Sequence, residues 1–176
     1  MLQKIKDMHG RLDVLVPNAA CSTHFGTQLD ITESAYDKLW DLNVKSTFFL
    51  IKECYPLLLA SKEAGGAANV CTISSVTGRI PSPMIGVYSM TKAALDNMTQ
   101  FLSKELMDDG IRVNAVAPGL IKTDFAGPIH SVEGLPPQSI GQPHHIGSVV
   151  ATVCSKDDGA FMNGEIYYVN GGFAKL

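Results

Sequence analysis

Short runs of β-branched and apolar residues alternate along this chain with longer stretches of helical periodicity. The apolar runs lie near residues 13–16, 69–73, 111–116 and 165–169. The helical stretches lie near residues 2–9, 32–60, 87–108 and 144–155. Strands that are apolar along their length are buried on both faces, which is typical of parallel pairing beneath flanking helices. The sequence therefore predicts an α/β fold, a doubly wound parallel sheet of about four strands with helices on both faces.

Local signals set the expected ends of these helices. Thr32 precedes the second helical stretch as an N-cap, and Gly10 follows the first as a stop signal. Gly65 and Gly66 end the second stretch. Residues 127–143 are rich in proline and glycine, which predicts a loop with little regular structure of its own.

Composition excludes several classes of protein. The 176 residues carry a net charge of −3, which lacks the basic character of a nucleic-acid-binding protein. The longest apolar stretch, residues 48–60, is interrupted by Lys52, Glu53 and Pro56, so no membrane span is expected. The four cysteines are too widely spaced for a zinc site or a disulfide framework, and no metal site is expected.

Tyr88 and Lys92 are one helical turn apart and therefore lie on one face of the third helical stretch. A lysine ammonium beside a phenol favours the phenolate and should lower the phenol pKa toward neutrality, which suits a general acid or base. The spacing alone is weak evidence for a catalytic pair, because any amphipathic helix can place a tyrosine and a lysine four residues apart.

Small and polar residues follow three of the expected strands, where open parallel sheets bind their ligands. Ser74 and Ser75 follow Ile73, and a serine hydroxyl there can polarise a substrate carbonyl. A turn or helix cap is the alternative role for both serines. Pro118–Gly119 and Asn18–Ala20 also follow strands, and their small side chains would let a flat ligand approach the backbone.

In this order and spacing, the motifs resemble those of the short-chain dehydrogenases/reductases, and the resemblance covers the whole chain. Ser75 precedes Tyr88 by thirteen residues, the spacing that the family uses, which favours Ser75 over Ser74. The matching segments are residues 13–20 (D-x-L-V-N-N-A-G), 41–44, Ile73–Ser75 (I-S-S), Tyr88–Lys92 (Y-x-x-x-K), 112–123 (R-V-N-x-x-x-P-G-x-x-x-T) and 164–172 (G-x-x-x-x-V-x-G-G).

The resemblance implies a role for each matching residue. Tyr88 would exchange a proton with the substrate oxygen, and Ser75 would orient the carbonyl. Lys92 would lower the pKa of Tyr88 and hydrogen-bond the nicotinamide ribose. Asn43 would hold a water that links Lys92 to solvent, unless it is a polar residue satisfied within its own helix. The cofactor, NADP or NAD, would be contacted by Asn18, Ala19, Ala20, Ile73, Tyr88, Lys92, Pro118, Gly119, Ile121 and Thr123, although plain core packing is the alternative for Ile121.

The sequence departs from the family pattern in its turns. Pro17 and Ala20 stand where the family has asparagine and glycine. No T-G-x-x-x-G-x-G turn, which would hold the pyrophosphate, is present. We therefore expect residues 1–176 to form one domain corresponding to the C-terminal two-thirds of a Rossmann-like domain, with the strand near residues 13–16 at an exposed edge.

The ending Ala174-Lys175-Leu176 resembles the S-K-L address of peroxisomes, with a cytoplasmic protein as the alternative. It agrees with a resemblance of Asn18–Ala20 and Ala117–Thr123 to the peroxisomal NADPH-dependent carbonyl and retinal reductases of the family. The partners thus implied are a small carbonyl or alcohol substrate, the peroxisomal import receptor and further copies of the chain in a homotetramer. Leu95, Met98, Phe101 and Leu102 are the expected intersubunit residues, unless they face the sheet.

The predicted function is reduction of an aldehyde or ketone, a class that includes retinoid and lipid-like carbonyls, by hydride transfer from NAD(P)H. The alternative is a noncatalytic family member that keeps the site residues, does not bind the cofactor and acts as an assembly partner.

Overall fold

The structure, a computed structural model, describes residues 1–126 and 140–172. Within these ranges four parallel strands lie side by side in chain order, so the predicted parallel sheet is confirmed. The strands are β1 (Val14–Leu15), β2 (Asn69–Ile73), β3 (Arg112–Pro118) and β4 (Ile166–Val169). The helices are α1 (Leu2–His9), α2 (Glu33–Trp40), α3 (Ser46–Glu63), α4 (Gly86–Glu105) and α5 (Pro143–Cys154).

Helices α2 and α3 form one continuous helical segment, because a π-helical turn at Asp41–Lys45 joins them. The Thr32 hydroxyl accepts a hydrogen bond from the Ala35 amide and caps α2, as predicted. Gly10 ends α1 in the left-handed conformation with φ of 68°, which favours glycine because a side chain there is strained.

The first strand is shorter than the four residues predicted and lies at the edge of the sheet. The Asp13 carboxylate accepts a hydrogen bond from Ser61 Oγ at 2.7 Å and pairs with Arg11 at 3.4 Å. Val16 is exposed just past the strand. The Asp13 carbonyl still accepts a hydrogen bond from the Asn69 amide at 3.0 Å, so the chain runs beside β2 from Asp13, although β1 itself comprises only Val14–Leu15.

The two faces of the sheet are covered by different helices. Alternate residues of β2 point to opposite faces, so Val70 packs beneath α3 and α4 whereas Cys71 packs beneath α5. The larger core also contains Leu15, Ile51, Cys54, Leu58, Ala68, Leu95, Met98, Leu102, Leu106, Ile111 and Val113. The smaller core contains Val116 and Val153.

Three of the four predicted intersubunit residues belong to the core instead. Leu95, Met98 and Leu102 are buried against the sheet because their spacing of three and four residues places them on one stripe of α4. Phe101 lies off that stripe and is 41% exposed. The prediction of an exposed apolar face was therefore wrong for all but Phe101.

Most of the predicted loop at 127–143 lies outside the described residues, as does Ala174-Lys175-Leu176. Where the chain is described again, Gly141 bridges Ile121, and Pro143 is the first residue of α5. Across residues 1–126 and 140–172, no helix is both long and apolar enough to cross a membrane. The same ranges contain no group of three His, Cys, Asp or Glu side chains suited to a metal ion.

Candidate active site

The carboxyl ends of β1, β2 and β3 lie along one edge of the sheet because the strands are parallel. Ser75 is the second residue after β2, and Tyr88 and Lys92 lie on the first two turns of α4. All three side chains are buried or nearly so: Ser75 is 9% exposed, Tyr88 8% and Lys92 2%. The structure thus brings together the three residues with the strongest sequence signals.

Ser75 joins the 3₁₀ turn Val76–Gly78 to the phenol of Tyr88. Its hydroxyl oxygen accepts hydrogen bonds from the Thr77 amide at 3.2 Å and from Thr77 Oγ1 at 3.0 Å. Ser75 also acts on the phenol of Tyr88, and its influence lowers the pKa of the tyrosine. A hydroxyl has two acceptor positions and one proton, so Ser75 keeps its proton for a further acceptor while it caps the turn.

Burial raises the pKa of Tyr88 well above its ordinary value of 10.0, against the lowering effect of Ser75 and with a smaller rise from Cys21. The sequence predicted the opposite direction, and that prediction was wrong for this structure. Lys92 Nζ lies over the face of the Tyr88 ring, 5.4 Å from its centroid, and donates to the Ile73 carbonyl at 2.8 Å. Desolvation of the phenol therefore decides the direction of the shift.

Burial also lowers the pKa of Lys92, to about 8, while Asp96 and then Cys21 oppose that shift. A lysine in this range exchanges its proton near neutral pH, which an exposed lysine does not. One of the three Lys92 N–H donors binds the Ile73 carbonyl. The predicted cofactor residue Ile73 therefore contacts Lys92 through its main-chain oxygen.

Asn43 lies in the π-helical turn, is fully buried and ties three segments together. Its Oδ1 accepts from the Cys21 amide at 2.8 Å, and its Nδ2 donates to the Cys21 carbonyl at 3.0 Å and to Thr91 Oγ1 at 3.1 Å. Asn43 is thus satisfied by partners outside its own helix, and Oδ1 keeps one acceptor position.

The predicted cofactor residues after β1 line a groove beside α3. Asn18 and Ala19 border a cavity of about 270 Å³ together with Val16, Pro17, Ser46, Thr47 and Leu50. Ala20 precedes Cys21, whose backbone is bound by Asn43. This segment therefore reaches the α4 residues through Asn43 and Thr91.

The segment after β3 approaches the site from the other side. Pro118 pairs with Val169, and a side chain at Gly119 would lie 2.9 Å from the Asn170 backbone, which excludes larger residues there. Ile121 bridges Gly141, so it is held by backbone pairing as well as by packing. Thr123 is exposed, with its hydroxyl 3.4 Å from the Ile121 carbonyl.

Three further residues at the site escaped the sequence analysis. The Phe125 ring lies 6.0 Å from the Tyr88 ring, and no periodic signal marked it. Cys21 acts electrostatically on both Tyr88 and Lys92, but it carries no motif. Asp96 is one turn beyond Lys92, and that spacing could have identified it.

The residues present fit the nicotinamide end of a dinucleotide. A buried ammonium, a phenol and a serine hydroxyl converge at the end of β2, where the ammonium lies over the phenol ring. Lys92 and the backbone at Asn18–Ala20 and Pro118–Thr123 would hold the group, and the chemistry it supplies is hydride transfer.

Comparison with known proteins agrees with this arrangement. A family model described as enoyl-(acyl carrier protein) reductase matches residues 1–174. The chain is 36% identical over 176 residues to dehydrogenase/reductase SDR family member 4 of Sus scrofa, which covers 96% of this chain and 61% of that protein. The protein of the same name from Bos taurus is 35% identical, with 94% and 60% covered. The chain thus spans about three-fifths of the length of these relatives.

A solved structure titled "ElxO with NADP Bound" resembles this fold with a TM-score of 0.84 and 28% identity, covering 98% of this chain and 71% of that one. A crystal structure of an NADH-dependent reductase, A1-R′, responsible for alginate metabolism gives a TM-score of 0.86 and 27% identity, with 99% and 70% covered.

Proposed function

The chain belongs to the short-chain dehydrogenase/reductase family, and on that premise we propose that it reduces an aldehyde or ketone with a hydride from NADPH or NADH. The observation that carries the proposal is the convergence of buried Ser75, Tyr88 and Lys92 at the end of β2, where the Lys92 ammonium lies over the Tyr88 ring. Two similar solved structures, one with NADP bound and one of an NADH-dependent reductase, support this choice of cofactor.

In this proposal, Tyr88 donates its proton to the substrate oxygen. The substrate carbonyl takes the position in front of the phenol, where Ser75 can also turn its hydroxyl toward it. When bound, the cofactor would supply a hydride to the carbonyl carbon as Tyr88 supplies the proton. The Lys92 ammonium stabilises the phenolate that Tyr88 becomes, since a positive charge within reach of the ring favours that anion.

The proton that Tyr88 loses must be replaced from solvent. Lys92 titrates near pH 8 and can pass its proton to the phenolate. The remaining acceptor position on Asn43 Oδ1 is assigned to a water that links Lys92 to solvent, and the amide itself is fixed by Cys21 and Thr91.

The substrate class in this proposal is a carbonyl with an apolar flank, either retinoid or lipid-like. Phe125 beside Tyr88 supplies an apolar surface, and Cys21 lies on the side of the segment after β1. The first substrates to assay are therefore a small apolar aldehyde and a long-chain or retinoid aldehyde.

Assembly and location belong to the same proposal. A homotetramer is supported by large apolar side chains that α3 and α4 expose, namely Phe49, Met90 and Phe101. Peroxisomal import rests on the resemblance of Ala174-Lys175-Leu176 to S-K-L alone. Those three residues lie outside the described part of the chain.

The test is oxidation of NADPH and of NADH by the purified chain in the presence of each aldehyde, with each cofactor raised until turnover no longer increases. We expect Tyr88→Phe to lower kcat by about 10²–10⁴-fold, because it removes only the proton donor. Tyr55→Phe is the control, because its phenol hydrogen-bonds Asp109 away from the site, and it should keep the activity of the native chain. Unchanged turnover in Tyr88→Phe would show that the acid is misassigned. Absence of turnover in the native chain would favour the noncatalytic alternative.

A further inference from the structure

The carboxylate of Asp96 lies one helical turn beyond Lys92 on α4. Its Oδ1 is fully buried, and no donor in residues 1–126 or 140–172 reaches it. Ser74 Oγ donates its proton to the main-chain carbonyl of Lys92 at 3.2 Å, and its proximity lowers the pKa of Asp96. A buried acid with an unpaired oxygen is costly, so a function is needed to explain it.

The 3₁₀ turn Val76–Gly78 packs closely against Asp96. A side chain on Gly78, in the 3₁₀ turn after Ser75, would lie 2.9 Å from Asp96 Oδ2 and 3.0 Å from the Lys92 carbonyl carbon. The turn that Ser75 caps therefore covers Asp96 as well, and it restricts access of water to the carboxylate.

We propose that Asp96 is a positioning residue of the candidate active site, whose buried carboxylate keeps the Lys92 ammonium charged and held on the Ile73 carbonyl. The inference rests on the proposed function, because it assigns Asp96 to the lysine that serves Tyr88. A buried ammonium without a counter-charge loses its proton, and Asp96 is the acid closest to it along α4.

The charges around this pair can be named. Lys92 is affected by Asp96 and by Cys21, and it lies over the ring of Tyr88. Asp96 also acts on Tyr168 of β4, which has Arg79 5.7 Å from its ring centroid. Burial raises the pKa of Asp96, whereas the proximity of Ser74 and the charge of Lys92 favour the ionised carboxylate.

The experiment follows the Lys92 Cε resonance by NMR in the full chain, labelled with ¹³C-lysine and titrated from pH 6 to pH 11. Lys92→Arg identifies the resonance by its disappearance. We expect Asp96→Asn to lower the titration midpoint by about half a pH unit or more, a threefold or larger loss of proton affinity. Asp96→Glu should restore much of it, because it returns the charge.

Glu105→Gln is the matched control, since it removes the same charge from an exposed position at the end of α4 and should leave the midpoint unchanged. An Asp96→Asn midpoint equal to that of Glu105→Gln would overturn the inference. If Asp96→Asn does not fold, the coupling between the two groups is measured through the titration of the Asp96 carboxylate instead. Lys92→Met should then raise the midpoint of the Asp96 ¹³Cγ resonance, and an unchanged midpoint would overturn the inference equally.

The readout needs neither cofactor nor turnover, so the two proposals fail separately. If Asp96 does not affect the Lys92 titration, its proposed role is rejected. The reductase activity is still tested separately by the turnover assay. A native chain without turnover rejects the proposed function, whatever the titration shows.

Discussion

At the scale of single residues, the strongest constraint on this molecule is the ammonium of Lys92, which is 2% exposed. Its pKa falls from 10.5 to about 8 because burial disfavours the charged form. Between these two values the unfolded chain binds more protons than the folded chain, so folding becomes more favourable as the pH rises through that window. Below pH 8 the full cost of the buried charge remains.

Replacing Lys92 with methionine removes that cost while filling a similar volume. We expect Lys92→Met to be more stable than the native chain at pH 7, by up to about 3 kcal/mol, and the difference to vanish near pH 10.5. Urea unfolding at pH 7, 8.5 and 10 measures it. Lys104→Met, at an exposed position on the same helix, should show a difference that does not vary with pH. A pH-independent difference for Lys92→Met would contradict the lowered pKa.

The thiols of Cys71 and Cys154 form the other unusual residue-scale feature, away from the site. A hydrogen bond from the Cys71 thiol lowers the pKa of Cys154, and the Arg112 guanidinium adds to this against the effect of burial. The guanidinium is held there by the carbonyls of Val153, Ser155 and Met162. Burial raises the pKa of Cys21 instead, although both thiols are half-buried.

Iodoacetamide at pH 7.5 should therefore alkylate Cys154 first among the four cysteines, because the thiolate is the reactive form. Mass spectrometry of the digested protein gives the rate at each site. Cys71→Ala should slow the reaction at Cys154 by removing the hydrogen bond, with Cys21 as the internal reference. Equal rates at Cys21 and Cys154 would contradict the assignment.

At the scale of elements, two glycines with the same substitution have opposite expected effects. Gly78 in the 3₁₀ turn Val76–Gly78 touches α4, and an added Cβ would lie 3.0 Å from the Lys92 backbone. Gly147 lies within α5, and an added Cβ there meets no atom of the described chain within 4 Å. Packing against α4 determines the effect of alanine at Gly78 on stability. Helix propensity determines its effect at Gly147.

Gly78→Ala should destabilise the fold by about 1–3 kcal/mol, because the turn must move away from α4. Gly147→Ala should stabilise it by about 0.5–1 kcal/mol, the advantage of alanine over glycine inside a helix. Chemical denaturation of both variants in parallel provides the measurement. Equal effects in the two variants would show that the turn does not contact α4 as described.

At the scale of the whole molecule, the sheet and its flanking helices were predictable because their signals are local. Apolar runs marked β2 and β3, and a spacing of four placed Tyr88 beside Lys92. The effects of burial could not be predicted from the sequence. The Tyr88 pKa rises rather than falls, Leu95 and Met98 face the core, and Asn43 bonds to Cys21, which is 22 residues away. Each depends on contacts between segments that are distant along the chain.

The last prediction concerns affinity for the cofactor. The described chain offers Lys92, Tyr88 and the strand ends to the nicotinamide, whereas the sequence holds no T-G-x-x-x-G-x-G turn for the pyrophosphate. Charge-assisted hydrogen bonds contribute about 1.5–3 kcal/mol each, so two or three fewer should weaken binding by about three orders of magnitude or more. We therefore expect these 176 residues to bind NADPH far more weakly than a relative that has the turn.

Calorimetric titration of the purified 176-residue chain with NADPH is the direct measurement, and a relative that has the turn is the positive control. Tyr88→Phe should change this affinity little, because the phenol contacts the nicotinamide end alone in the proposed site. A Lys92→Met variant should weaken it further by removing the donor assigned to the ribose. A micromolar dissociation constant for the native chain would mean that other residues of this chain hold the phosphates, and the noncatalytic alternative would then lose its main support.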